Sequence, residues 1–332
     1  MTMAWLLVVV GIVGLVWSAD RFVAGSAALA RNLGVSKMVI GLTVVSLGTS
    51  APEIIVSLDA SIRGIGALAI GNALGSNIAN IGLVLSLTAL IAAIPIQRHL
   101  LSQEIPTLLA ITAIAGIFLW DGQLKRWEGV VLLMITVPLL YIMYRVKRQH
   151  PEELADAEDI PDLSMILAVV WFVVGLVVLV ISARLLVTGA ETIAKSLGVS
   201  ELVIGLTVVA IGTSLPELAA SVMSAIKGHH DIALGNIIGS NIFNILTVMA
   251  VPGLVGMDVL EHKVFYRDYV ATAVITALLC LAIVGQFYGR RFLGAGSNNG
   301  QARLGRGIGL FLLLCYMGYS AILFYSESSP PG

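Results

Sequence analysis

The chain carries one stretch twice. Gly41 to Asn80 reads GLTVVSLGTSAPEIIVSLDASIRGIGALAIGNALGSNIAN, and Gly205 to Asn244 reads GLTVVAIGTSLPELAASVMSAIKGHHDIALGNIIGSNIFN. The copies align without a gap, 164 residues apart, and about half of their positions are identical. Whatever fold accepts this chain must house two versions of one unit. Each version sets a lone carboxylate, Glu53 or Glu217, in an apolar run beside Gly, Thr, Ser and Pro. Such a carboxylate marks a pathway or site inside a membrane, and the repetition points to two halves of one ion site.

The chain around the repeats is too apolar for water. Hydrophobic residues make up 58% and charged residues 12%, against roughly 25% charged in soluble domains, and the mean hydropathy is +0.97. The class is an all-α polytopic membrane protein. Hydropathy predicts about ten transmembrane helices, at 3–31, 36–62, 67–95, 104–121, 127–146, 165–195, 200–226, 232–256, 267–288 and 305–326. The expected organisation is a five-helix repeat over 1–146, an acidic cytoplasmic linker over 147–164, a second five-helix repeat over 165–326 and a short tail over 327–332. Five spans per unit is odd, so the two copies enter the membrane from opposite sides. Inverted repeats of this kind are typical of secondary transporters, with their sites near the midplane at the repeat interface.

Several features close off other classes. The net charge of −1 gives no basic patch for nucleic acid, and nothing points to a protein partner or a cofactor. Membrane lipid and small inorganic cations are the expected surroundings and cargo. Cys280 and Cys315 lie in separate apolar runs, which favours packing. His99, His150, His229, His230 and His262 fall near predicted loops or helix ends, without zinc-site spacing. The N-terminal run lacks a basic start, and Val16 to Ala19 matches Val180 to Ala183 at the repeat offset, so it reads as helix one, not as a signal peptide. No nucleophile with a base and no aspartate dyad suits an intramembrane hydrolase, and the internal inversion argues against a channel. Eleven Lys and Arg residues, Arg31, Lys37 and Arg303 among them, collect on one side against six on the other. That bias puts both termini outside the cell or inner membrane.

The chemistry sits at the breaks. Pro52 and Pro216 lack an N–H and clash one turn back, which opens the helix and frees carbonyls near Gly48–Thr49 and Gly212–Thr213. Thr49 and Glu53, Thr213 and Glu217, Ser76 and Asn80, and Ser240 and Asn244 are all four apart, so each pair shares a helix face. Every candidate ligand is a hard oxygen, as Ca²⁺ requires. Two carboxylates carry a charge that one Ca²⁺ or two Na⁺ would balance. Gly41, Gly48, Gly71 and Gly75, with Gly205, Gly212, Gly235 and Gly239, permit close helix packing. Asn72, Asn77, Asn236 and Asn241 suit structural hydrogen bonds at least as well as ion contact. Asp59 faces Met223 at its offset, and Asp20 faces Arg184, so neither acid is repeated. Glu104 and Asp268 do correspond and suit helix N-termini. Trp5, Trp120, Trp127 and Tyr325 read as interfacial anchors.

On the motifs G-T-S-x-P-E and G-N-x-x-G-S-N-x-x-N, present in both halves, the chain resembles the cation/Ca²⁺ exchanger superfamily, and most of all small bacterial sodium/calcium antiporters without a regulatory domain. The resemblance implies a Na⁺/Ca²⁺ antiporter, not an enzyme. It implies that Thr49, Glu53, Thr213 and Glu217 hold the central Ca²⁺. It further implies that Ser46 and Ala210, through carbonyls, with Ser76, Asn80, Ser240 and Asn244, complete flanking Na⁺ sites. Potassium-dependent relatives carry Asp where Asn244 stands, and the proton-coupled branch carries Glu where Gly75 and Gly239 stand. Ca²⁺/H⁺ exchange at the same site is the alternative. The short linker leaves no room for cytosolic Ca²⁺-binding domains.

Overall fold

The computed structural model describes residues 1–147, 161–199, 204, 208, 210–256, 262–292 and 302–328. Its helices, in chain order, are α1 (Thr2–Leu33), α2 (Lys37–Thr49), α3 (Ala51–Ile62), α4 (Gly66–Ile91), α5 (Leu100–Leu119), α6 (Arg126–Lys147), α7 (Met165–Ser196), α8 (Ala210–Thr213), α9 (Leu215–Ile226), α10 (His230–Val255), α11 (Val264–Phe292) and α12 (Arg306–Ser328). Among the described residues seven helices are long and apolar enough to cross a membrane, or eight with α2 and α3 joined as one bent span. The other two expected spans fall on α6 and on 200–226, much of whose first part lies outside the described residues, as do residues 148–160 of the expected linker.

At about 1.5 Å per residue, the 32 residues of α1 and of α7 run to roughly 48 Å, longer than a hydrocarbon core of about 30 Å, so both can span it with tilt or project beyond it. They lie antiparallel, backbone against backbone. A Cβ added at Gly11 would stand 2.7 Å from the Leu186 amide nitrogen, and one at Gly25 would stand 2.5 Å from that of Phe172. The repeat-related Gly175 and Gly189 meet Phe22 and Ala4 just as closely, at 2.6 and 2.7 Å. In lipid, apolar burial gives little drive for helix association, so close van der Waals approach through small residues carries it instead. The antiparallel crossing of a helix with its own repeat mate is the inversion that the odd span count requires.

The centre belongs to α4 and α10. Ile70, Leu74, Ile78 and Ile81 of α4 pack in one cluster with Leu234, Ile238, Ile242 and Ile245 of α10. The broken helices flank them. The α2–α3 bend is 43° and lies at Ser50 (φ −81°, ψ 3°), matched by Ser214 (φ −90°, ψ 4°) between α8 and α9. Pro52 and Pro216 sit in the first turn after each break, where a missing N–H costs nothing.

Some boundaries differ from those the hydropathy predicts. The third span stops at Ile91, and Ile94–Pro95 instead form a strand paired antiparallel with Arg303–Leu304. The fourth and ninth helices begin at Leu100 and Val264 through π-helical turns, earlier than the expected 104 and 267. Glu104 and Asp268 consequently lie a turn inside their helices, not at the N-termini. Glu104 Oε2 is 3.2 Å from His99 Nδ1, and Asp268 accepts from Arg267 Nε at 2.7 Å and Tyr319 Oη at 3.0 Å. The span expected over 267–288 runs on to Phe292. Trp5, Trp120, Trp127 and Tyr325 are all exposed on the outside of the bundle.

Candidate ion-binding site

Each break delivers its carboxylate into the protein. Glu53 stands in the first turn of α3 and Glu217 in the first turn of α9, and each is 1% exposed. The positive end of a helix dipole favours an anion at that position. A side-chain amide from the following helix grips each turn: Asn72 Nδ2 donates to the Glu53 carbonyl and Asn236 Nδ2 to the Glu217 carbonyl, both at 3.4 Å. This matching pair of bonds shows the two half-sites to be built alike.

The halves then interlock. Ser50 Oγ donates to Glu217 Oε1 at 3.4 Å, and Thr49 Oγ1 donates to Asn236 Oδ1 at 3.0 Å and lies 3.5 Å from Ser240 Oγ. Asn77 Nδ2 donates to the Asn241 carbonyl at 3.1 Å, and Ser57 Oγ to the Val248 carbonyl at 2.7 Å. Glycine makes the approach possible. A Cβ on Gly235 would lie 2.9 Å from the Met38 carbonyl oxygen, and one on Gly239 would lie 2.6 Å from that of Leu42.

Of the residues singled out from sequence, Ser46, Thr49, Glu53, Ser76, Asn80, Glu217, Ser240 and Asn244 are all buried, and Thr213 is half-buried. Ala210 opens α8. The Ser46 carbonyl already accepts from the Ser50 amide at 2.9 Å, and the Thr49 hydroxyl oxygen lies 3.3 Å from it. Asn80 and Asn244 each begin a π-helical turn, Asn80–Leu85 and Asn244–Val248, a local widening that recurs at functional sites.

Buried polar atoms normally find partners, and here a set of oxygens does not. Glu53 Oε2, Glu217 Oε2, and Oδ1 of Asn77, Asn80, Asn241 and Asn244 are buried without a hydrogen-bond partner. They form three pairs related by the repeat. Leaving one such group unsatisfied costs about 1–3 kcal/mol, more if charged, and a bound cation relieves that cost. Hard oxygens with carboxylate charge suit Ca²⁺ or Na⁺. Among the described residues no three His, Cys, Asp or Glu side chains gather to hold a metal; the polar groups bonded to Glu217 and to the Glu53 and Glu217 turns are neutral hydroxyls and amides. Sequence reasoning passed over Ser50 and Ser214. Both are buried at the break, and their signal was their place three residues before each Glu.

Two inverted helical repeats around buried, unpartnered oxygens define a membrane transporter rather than an enzyme. The model of the sodium/calcium exchanger protein family matches residues 3–145 and 167–325, and the chain belongs to that family. It is 44% identical to CaxA of Alkalimonas amylolytica, across 98% of this chain and 100% of that protein. It is 38% identical to the inner membrane protein YrbG of Escherichia coli, across 98% of each chain. Its fold matches a structure of the sodium-calcium exchanger NCX_Mj, soaked with zero Na⁺ and Ca²⁺, with a TM-score of 0.81 and 33% identity over 97% of this chain and 99% of that one.

Proposed function

We propose that the chain exchanges Na⁺ for Ca²⁺ by alternating access at one midplane site shared by its two repeats, 1–146 and 165–326. The observation that carries this reading is the set of buried oxygens without partners at Glu53, Asn80, Glu217 and Asn244. Thr49, Glu53, Thr213 and Glu217 hold Ca²⁺. Ser46 and Ala210, through their carbonyls, and Ser76, Asn80, Ser240 and Asn244 serve Na⁺. Because the same two carboxylates bind either ion, each ion competes with the other, and the competition couples their fluxes. The family's transported Na⁺ and Ca²⁺ and the solved NCX_Mj structures support the same pair of ions. The protein resides in the inner or plasma membrane with both termini outside, a reading supported by the Lys and Arg bias and by its likeness to YrbG.

The test is ⁴⁵Ca²⁺ uptake into proteoliposomes loaded with Na⁺, beside vesicles with only a pH gradient. Uptake that requires internal Na⁺ is expected. Uptake driven by the pH gradient alone would replace this reading with Ca²⁺/H⁺ exchange at the same site.

A further inference from the structure

We infer that Asn236 is a positioning residue that ties the Thr49 hydroxyl of one repeat to the Glu217 turn of the other and so sets the spacing between the two half-sites. This rests on the exchanger reading above and deepens it. Asn236 is 0% exposed and spends its amide on both sides. Its Oδ1 accepts from Thr49 Oγ1 at 3.0 Å, while its Nδ2 donates to Ser221 Oγ at 2.9 Å and to the Glu217 carbonyl at 3.4 Å.

The orientation of the amide is fixed by these partners. Turned over, it would set Oδ1 against the Glu217 carbonyl, oxygen facing oxygen. With Oδ1 held toward Thr49 at 3.0 Å, it lies nearer the threonine hydroxyl than the Ser46 carbonyl at 3.3 Å or Ser240 Oγ at 3.5 Å. A hydroxyl carries one hydrogen and two lone pairs. A threonine that ligates a cation must send its hydrogen elsewhere, and Asn236 receives it. The lone pairs of Thr49 are then left for the ion. Because the same Asn236 side chain holds the first turn of α9, movement of Glu217 is transmitted to Thr49. The backbone contacts at Gly235 and Gly239 bring α10 close enough for this bridge.

The experiment is a double-mutant cycle on the full chain in proteoliposomes, reading the KM and Vmax of Na⁺-dependent ⁴⁵Ca²⁺ uptake. Asn236→Leu is expected to raise the KM for Ca²⁺ about tenfold, the effect of one lost buried hydrogen bond, with a smaller change in Vmax. Thr49→Val is expected to raise it similarly alone and to add less than about twofold on the Asn236→Leu background. Thr213→Val keeps its full effect on either background. A merely structural asparagine would not distinguish the two threonines. Should Asn236→Leu not fold, Asn236→Ser enters the same cycle. Multiplicative effects of Asn236 and Thr49, or a fall in Vmax with KM unchanged, would overturn the positioning role. Persistence of Ca²⁺ uptake in both Glu53→Gln and Glu217→Gln would overturn the ion-site reading itself, and the inference with it.

Discussion

The two broken helices share one motif, GTSxPE, and lie in different surroundings. Where α2 crosses α10, the interface is sealed: Thr49, Asn236 and Ser240 are each 0% exposed, and Gly235 and Gly239 are buried. At the equivalent place in the other half, Thr213, Asn72, Gly71 and Gly75 are only half-buried. Charge departs from the repeat as well. Asp20 of α1 pairs with Lys227 at 2.6 Å, whereas the residues at the repeat-related positions, Arg184 and Arg63, are both cations. At its described residues one motif is thus fully closed in one half and partly open in the other. The alternating access proposed above would use that difference, each half taking the closed state in turn.

The largest effect is expected where the halves are most alike. Glu53→Gln and Glu217→Gln should each lower Na⁺-dependent ⁴⁵Ca²⁺ uptake by about a hundredfold or more, because loss of a buried charge at a divalent site costs on the order of 3 kcal/mol. A strong effect at one glutamate alone would end the picture of a shared site.

The glycines should separate the halves. Gly239→Ala places a methyl 2.5 Å from Ser46 Oγ and 2.6 Å from the Leu42 carbonyl oxygen, an overpacking worth about 1–3 kcal/mol. A lowered melting temperature of the purified protein and slower exchange follow. Gly75→Ala meets nothing within 4 Å among the described residues, so its melting temperature should stay within about a degree of the parent.

A smaller effect is expected at the ion pair. Lys227→Gln removes a partly exposed bridge worth about 1 kcal/mol or less. It should change the relative accessibility of cysteines placed at Thr213 and Thr49 by a few-fold. The exchanged pair Asp20→Lys with Lys227→Asp should restore the original ratio.

The smallest lies outside the bilayer. Lys125 bonds to Asp121 and holds its carboxyl below the ordinary range. A lowered carboxyl pKa stabilises the fold above the unfolded value and loses that contribution as pH falls through the folded one. Asp121→Asn should therefore lower the melting temperature by under about one degree at pH 7, and the difference should vanish in acid.

Much of this was legible in the sequence. The duplication, the break at each GTSxPE and the burial of both glutamates followed from local chemistry, since proline and a lone acid leave few choices in an apolar run. What escaped was whatever depends on segments distant in the chain. The strand pair between Ile94–Pro95 and Arg303–Leu304 joins residues about two hundred apart, and no local pattern announces it. The early start of α5 likewise depends on His99 meeting Glu104 through a π-helical turn. Asn72 and Asn236 occupy identical motif positions, yet one is half-exposed and the other bridges both repeats. Pattern alone assigns them the same role.

The seam between α1 and α7 has a mechanical consequence. Helices normally mesh ridge into groove, and lengthwise travel must first lift side chains out of register. Where Gly11, Gly25 and Gly175 leave slots, Leu186, Phe172 and Phe22 of the facing helix fill them, and the Phe22 and Phe172 rings lie 5.0 Å apart across the same seam. Lengthwise travel of one rod along the other would lift each of these out of its slot, so the pair is a single stiff strut. A crosslink between α1 and α7 should therefore leave turnover unchanged.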